Sequence, residues 1–170
     1  LTPDAGTVEV EGEDLWGASR SRRDEIRRRF GMSFQEGALF DSMSVGENIA
    51  FPLRRHTKMT PDEVRGRVAE CLSLVKLHGI EGKRPSELSG GMRRRVGFAR
   101  ALALKPEVLL FDEPTTGPDP ITPDVLARVM IDLRDRMNPT MATVTPAPKV
   151  QSDVAARVAL PHHRPIPGDP

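Results

Sequence analysis

Two short runs in this chain hold groups that could handle a phosphate and a water molecule. The first is Glu87-Leu88-Ser89-Gly90-Gly91-Met92, a Ser-Gly-Gly turn that opens an amphipathic helix. A helix N-terminus offers unpaired N–H groups and the positive end of a dipole, which suits a phosphate. The glycines let the backbone come close, and the Ser89 hydroxyl adds a donor. The plainer alternative is a Ser N-cap before a flexible turn. The second run is Val108-Leu109-Leu110-Phe111-Asp112-Glu113-Pro114, an apolar strand ending in two acids. Ligands sit at the carboxyl ends of strands in open parallel sheets. Two ordinary loop acids fit poorly with four apolar residues directly before them.

Ser89 and Asp112 are 23 positions apart, enough for one helix and a short loop. Upstream, Gln35 follows the apolar strand Phe30-Gly31-Met32-Ser33-Phe34 and precedes the loop Glu36–Phe40. Alone, Gln35 reads as an exposed loop amide. In this order and spacing the three runs resemble the Q-loop, signature and Walker B motifs of an ATP-binding-cassette (ABC) ATPase. Glu36-Gly37-Ala38-Leu39-Phe40, Asn48-Ile49-Ala50-Phe51-Pro52-Leu53-Arg54 and Asp119-Pro120-Ile121-Thr122 look like the ATPases that drive Mla/Mce-type lipid transport.

The resemblance implies an α/β chain: a partial P-loop NTPase fold with a mostly parallel core sheet and an inserted helical subdomain. It implies ATP and Mg²⁺ as ligands. By resemblance, Gln35 ligates Mg²⁺ or the attacking water and relays nucleotide state to a membrane partner. Ser89, Gly90 and Gly91 clamp the γ-phosphate of ATP held by an opposite subunit, which requires a head-to-tail homodimer. Asp112 holds Mg²⁺ through water, and Glu113 orients or deprotonates the attacking water, the needs of phosphoryl transfer. Gly117-Pro118-Asp119 matches the D-loop, which crosses the dimer interface, with Asp119 among the nucleotide-site residues. The implied partners are transmembrane permease subunits and a second ATP-binding subunit. The implied location is the cytoplasmic face of the plasma (inner) membrane.

Four departures qualify this likeness. No Gly-x-x-x-x-Gly-Lys-Ser/Thr run occurs in the 170 residues, although that loop cradles the nucleotide phosphates. Pro118 stands in the D-loop where relatives have Leu or Ala, and Pro fixes φ and removes a donor. In Val144-Thr145-Pro146-Ala147, Pro146 occupies the position of the switch His that contacts the γ-phosphate in relatives. An aromatic for stacking adenine is also missing, and the chain has no Tyr. The reading is a cassette without its first strands and main phosphate loop, inactive by itself.

The elements that must position these groups follow from pattern. Thr7–Glu11 alternates as a half-buried strand stopped by Gly12. Ser19–Arg28 is a short polar helix. Ser44 to Ser86 is a helical insert with capping boxes at Ser44/Glu47 and Thr60/Glu63, and Pro61 at a first helical position. Val64, Val68, Cys71, Leu72 and Val75 form its apolar stripe, with Gly79 as its stop. Gly90–Leu104 is a helix with Val96, Ala99, Leu102 and Ala103 on its apolar face. Val108–Phe111 reads as a central parallel strand covered on both faces. Ile121–Met137 is a helix with Val125, Leu126, Val129 and Leu133 inward, and Met141–Thr145 is a further strand. The last 32 residues hold seven of sixteen prolines, so Val150–Leu160 is expected to be weakly ordered and 161–170 disordered. The resulting division is 1–43 partial core with Q-loop, 44–87 helical subdomain, 88–160 remaining core and 161–170 tail.

Net charge is +1 and no run approaches a membrane span, so neither nucleic acid nor insertion in a bilayer is indicated. Arg20, Arg22, Arg23, Arg27, Arg28 and Arg29 form the one basic run. It reads as a solvated helix in preference to a nucleic-acid or headgroup patch. The single Cys71 cannot make an internal disulfide, and packing is the role its apolar neighbours indicate. His162-His163 lies in the Pro-rich tail and carries no metal role.

Two other readings stand beside the transporter subunit. One is a non-catalytic remnant that dimerises or docks on a permease. The other, an ABC ATPase of DNA repair, needs long coiled coils between the Q-loop and signature. Gln35 and Ser89 are 54 positions apart without sustained heptads, which excludes it. These 170 residues by themselves are expected to give no saturable Mg-ATP binding in calorimetry below ~1 mM, some −4 kcal/mol. Clear saturation there would overturn the assignment of the missing loop.

Overall fold

The computed structural model describes residue 3 and residues 5–113, 121–137 and 139–144. Strands β1 (Glu9–Val10) and β2 (Glu13–Asp14) form a small antiparallel hairpin. It turns at Glu11 and Gly12, both with positive φ (52° and 79°), as a two-residue primed turn requires. Gly12 thus ends a strand shorter than Thr7–Glu11, and β2 is an element that the alternation did not announce.

Helix α1 (Arg20–Arg28) starts at Ser19, whose hydroxyl accepts from the Arg22 N–H at 3.2 Å. Its arginines are engaged close to home. Arg22 pairs with Glu13 and Glu25, Arg27 with Asp24, and Arg29 with Glu11 and Glu107. Arg23 lies over the Trp16 ring at 5.0 Å. Arg22 and Arg29 thereby fasten α1 to the hairpin and to the start of the sheet.

The core sheet has the order β3-β4-β5, with β3 (Phe30–Ser33), β4 (Val108–Asp112) and β5 (Thr140–Val144) all parallel. The central apolar strand is β4. One face of the sheet is packed: Gly31, Ser33, Leu109 and Phe111 are buried. The other is partly open among the described residues, with Met32 and Phe34 43% exposed and Val144 68%. On β4 itself Leu109 and Phe111 are buried and Val108 and Leu110 half-buried. A continuous apolar run cannot tell which of its alternating sides is packed.

Between β3 and β4 lie three helices. α2 (Val45–His56) and α3 (Pro61–Leu74) open with the two expected capping boxes, complete in both directions. The stripe Val64, Val68, Cys71, Leu72 and Val75 is buried. Burial raises the Cys71 thiol to about 11, so it packs as a neutral group at neutral pH. α3 stops at Leu74 rather than at Gly79. Lys76 takes the left-handed turn (φ 56°) that glycine usually supplies.

α4 (Gly90–Ala101) packs on α2, α3 and β3. Arg67, buried on α3, donates to the carbonyls of Leu102 (2.6 Å) and Ala103 (3.0 Å). A cation there satisfies carbonyls that a helix C-terminus leaves open. α5 (Ile121–Met137) buries Leu126, Val129, Met130 and Leu133. The Phe98 and Phe111 rings meet at 4.9 Å between α4 and β4.

Two contacts make sharp demands. A Cβ at Gly31 would lie 2.4 Å from the Ala101 carbonyl oxygen, so β3 meets α4 backbone to backbone. Gly31→Val should cost ~2–4 kcal/mol, a strain and overpacking effect, read as a lowered urea midpoint with unchanged slope. The Asn48 side chain, fully buried on α2, accepts from the Phe40 N–H (2.8 Å) and donates toward the carbonyls of Phe40, Met43 and Ser44. Asn48→Ala should cost ~1–3 kcal/mol by stranding those groups, and faster amide exchange at Phe40 should accompany the loss.

Candidate nucleotide site

The chain ends of β3 and β4 lie side by side because the two strands pair in parallel, Ser33 opposite Phe111. Gln35 and Glu113, 78 positions apart, emerge there, and the Gln35 Nε2 donates to Glu113 Oε2 at 3.2 Å. Asp112 is the last residue of β4 and is exposed. The Q-loop glutamine and both Walker B acids therefore share one rim of the sheet.

Glu113 leaves β4 in an uncommon way. Its φ is 43°, the left-handed region, and its N–H donates to the Val144 carbonyl at 2.8 Å. A non-glycine residue there carries roughly 1–3 kcal/mol of strain, which clusters at functional positions. The Glu113 carboxylate stays at the rim, within reach of Gln35.

The signature turn is built as a helix start. Ser89 caps α4, accepting from the Met92 N–H at 3.2 Å, while Ser89 and Gly90 are exposed and Gly91 is buried. Among the described residues no hydrogen bond joins Ser89 to Gln35, Asp112 or Glu113. Asp119, Gly117-Pro118 and Pro146-Ala147 lie outside the described residues, as do Val150–Leu160 and His162-His163.

A cavity of about 10 Å³ lies behind the rim, lined by residues that include Ser33, Gln35, Arg94, Phe98 and Phe111. It has space for about one water and none for a nucleotide. The donor set there is amide and carboxylate oxygen: Gln35, Asp112 and Glu113. Hard oxygen donors, few in number, suit Mg²⁺, which keeps its waters and shares substrate phosphates. Among the described residues no three His, Cys, Asp or Glu gather into an all-protein metal cage.

Sequence patterns missed Asn48, Arg67, Arg94 and Arg100. The three arginines reach backbone carbonyls far along the chain, while Asn48 bonds the loop and turn just before it. Asn48 alone left a trace, as a polar residue between Val45 and Ile49 on the buried side of α2.

A profile of the ABC transporter family matches residues 1–116. The probable ribonucleotide transport ATP-binding protein mkl of Mycobacterium tuberculosis is 46% identical over 145 residues, covering 85% of this chain and 40% of that protein. The intermembrane phospholipid transport system ATP-binding protein MlaF of Escherichia coli is 43% identical over 145 residues, 85% of this chain and 54% of that one. The chain thus spans about half the length of the curated relatives it matches. Among solved structures, the dimeric ATP-binding cassette MJ0796 in a post-hydrolysis state with ADP and Pi superposes with a TM-score of 0.82. Identity is 29%, over 91% of this chain and 68% of that one. The match extends over the signature turn, the acid rim and the parallel sheet that carries them, and the chain belongs to the ABC transporter family.

Proposed function

We propose that the chain is the ATP-binding subunit of an ABC transporter. It would couple ATP binding and hydrolysis to membrane transport, with phospholipids or related lipids as the cargo class. The observation that carries this is the convergence of Gln35, Asp112 and Glu113 on one sheet rim. The names of mkl and MlaF support the transport role, and MlaF supports the lipid cargo.

In this reading ATP lies outside the rim, and the Asp112 carboxylate and the Gln35 side-chain oxygen would hold its metal. Mg²⁺, when bound, would neutralise charge on the transferred phosphoryl group. Glu113 accepts the proton of the attacking water, and Gln35 holds that carboxylate in place until substrate arrives. Ser89, Gly90 and Gly91 present N–H groups and a hydroxyl to the γ-phosphate on a second, head-to-tail copy. Asp119 lies in the loop that crosses between copies. The dimeric state of MJ0796 supports a two-copy site.

The permease would dock beside the Q-loop. A hollow of about 270 Å³ is lined by Met43, Glu47, Phe51, Arg54 and Arg55. Phe40 and Phe51 stack nearby at 5.2 Å and are both exposed. Apolar rings ringed by cations suit an amphipathic segment of another protein. Among the described residues no helix is long and apolar enough to cross a membrane, and the subunit is placed at the inner membrane face by that partner. The units 1–43, 44–87 and 88–160 are the proposed division of labour, with 161–170 as a tail.

One feature favours a second reading, a non-catalytic docking or dimerisation module. Pro146 stands where a switch His would touch the γ-phosphate. The 170 residues alone are inactive on either reading. The test is a chimera with a relative's phosphate loop joined before Leu1 and Pro146→His. It should hydrolyse ATP with a rate that rises cooperatively with protein concentration. Glu113→Gln in it should lower phosphate release at least 100-fold, within the ~10²–10⁴ attributed to general base catalysis, and accumulate an ATP-bound dimer on sizing. Ser89→Arg should prevent that dimer. An unchanged rate in Glu113→Gln would remove the role given to Glu113.

A further inference from the structure

The Q-loop does not hang free between β3 and α2. It lies along one face of α4 and is held there at successive turns. The Arg94 Nε donates to the Gln35 carbonyl at 3.0 Å, and its guanidinium reaches the Glu36 carboxylate at 3.9 Å. One helical turn on, a Cβ at Gly97 would sit 2.5 Å from the Gly37 Cα, and a Cβ at Gly37 would sit 2.6 Å from the Arg93 carbonyl oxygen. A further turn on, the Arg100 Nη2 donates to the Gly37 carbonyl at 3.0 Å, with its guanidinium 5.7 Å from the Phe40 ring centre. Positions 94, 97 and 100 share a face by the i, i+3 rule. Gly37 itself is doubly constrained, by φ 80° and by contact with helix backbone.

These contacts are costly to arrange by accident. Arg94 is only 10% exposed, and burial pushes the Arg100 guanidinium below its ordinary range. A cation is kept from water in both places, and what each contacts is main-chain oxygen of the Q-loop. A guanidinium suits this, since it is rigid, permanently charged and less strongly hydrated than an ammonium.

We infer that Arg94 and Arg100 are positioning residues that fasten the Q-loop to the signature helix, so that Gln35 and Ser89 move as one body. The metal-site and phosphate-site roles of Gln35 and Ser89 rest on the function proposed above; the fastening itself does not. α4 rises about 1.5 Å per residue, so Arg94 lies ~7.5 Å and Arg100 ~16 Å along the axis from Ser89. A displacement of the α4 N-terminus toward a phosphate on another copy would carry the Gln35 and Gly37 carbonyls with it, without a flexible joint between. Phe40, held by Arg100 at one side and by Asn48 through its backbone, passes the same displacement to α2.

Hydrogen exchange on the 170-residue chain tests this without nucleotide, and so tests the fastening whether or not the ATP site is correctly assigned. Arg94→Met with Arg100→Met keeps the stems and removes the donors. Exchange at Gln35–Phe40 should rise at least tenfold, while Val96–Ala99 and Leu109–Phe111 stay within threefold of the parent. Arg94→Lys with Arg100→Lys should recover part of the protection, since a charged donor returns. If the paired Met variant lacks a cooperative transition, Arg94→Met alone carries the same comparison. Unchanged exchange at Gln35–Phe40 would overturn the inference. A rise spread evenly through α4 and the sheet would also overturn it, by reducing both arginines to general stability.

Discussion

The backbone-to-backbone approach of α4 to β3 and its following loop is the constraint on which the rest of the site depends. Gly31 meets the Ala101 carbonyl, and Gly37 meets Gly97, at distances that admit no side chain. Once α4 is seated so closely, its N-terminal turn is fixed relative to the sheet, and so is the loop that carries Gln35. The parallel pairing of β3 with β4 then brings Glu113 to Gln35. Without the close seat, the two motifs would share a chain without sharing a frame.

The two ends of α4 are served by different chemistry. At its start the orphan N–H groups meet a Ser hydroxyl and remain at the surface. At its end the carbonyls are closed by Arg67 from α3. A buried cation whose neighbour Glu70 lies 2.8 Å away is tolerated because its other donors all reach main-chain oxygen. The helical insert thereby holds the buried end of α4, while its capped start stays at the surface.

Much of this was legible in the residues. The capping boxes at Ser44 and Thr60 marked both helix starts because each is a local, reciprocal pair of hydrogen bonds. The run Val108–Phe111 marked the central strand because only a buried strand tolerates four apolar residues before two acids. The stripe on α3 and the inward face of α5 followed from period. Which side of β4 is the more deeply packed was not legible, since a continuous apolar run does not name a face. The end of α3 was misplaced because Lys76, not a glycine, takes the left-handed turn. Nothing in the sequence marks Arg94 and Arg100. Their partners are carbonyl oxygens, and main-chain acceptors leave no letter in a sequence.

Glu113 holds a left-handed backbone that glycine would adopt with less strain. Exchanging it for glycine would relax that turn and at the same time remove the carboxylate that meets Gln35. Local backbone ease and the acid at the rim are thus set against each other at one residue.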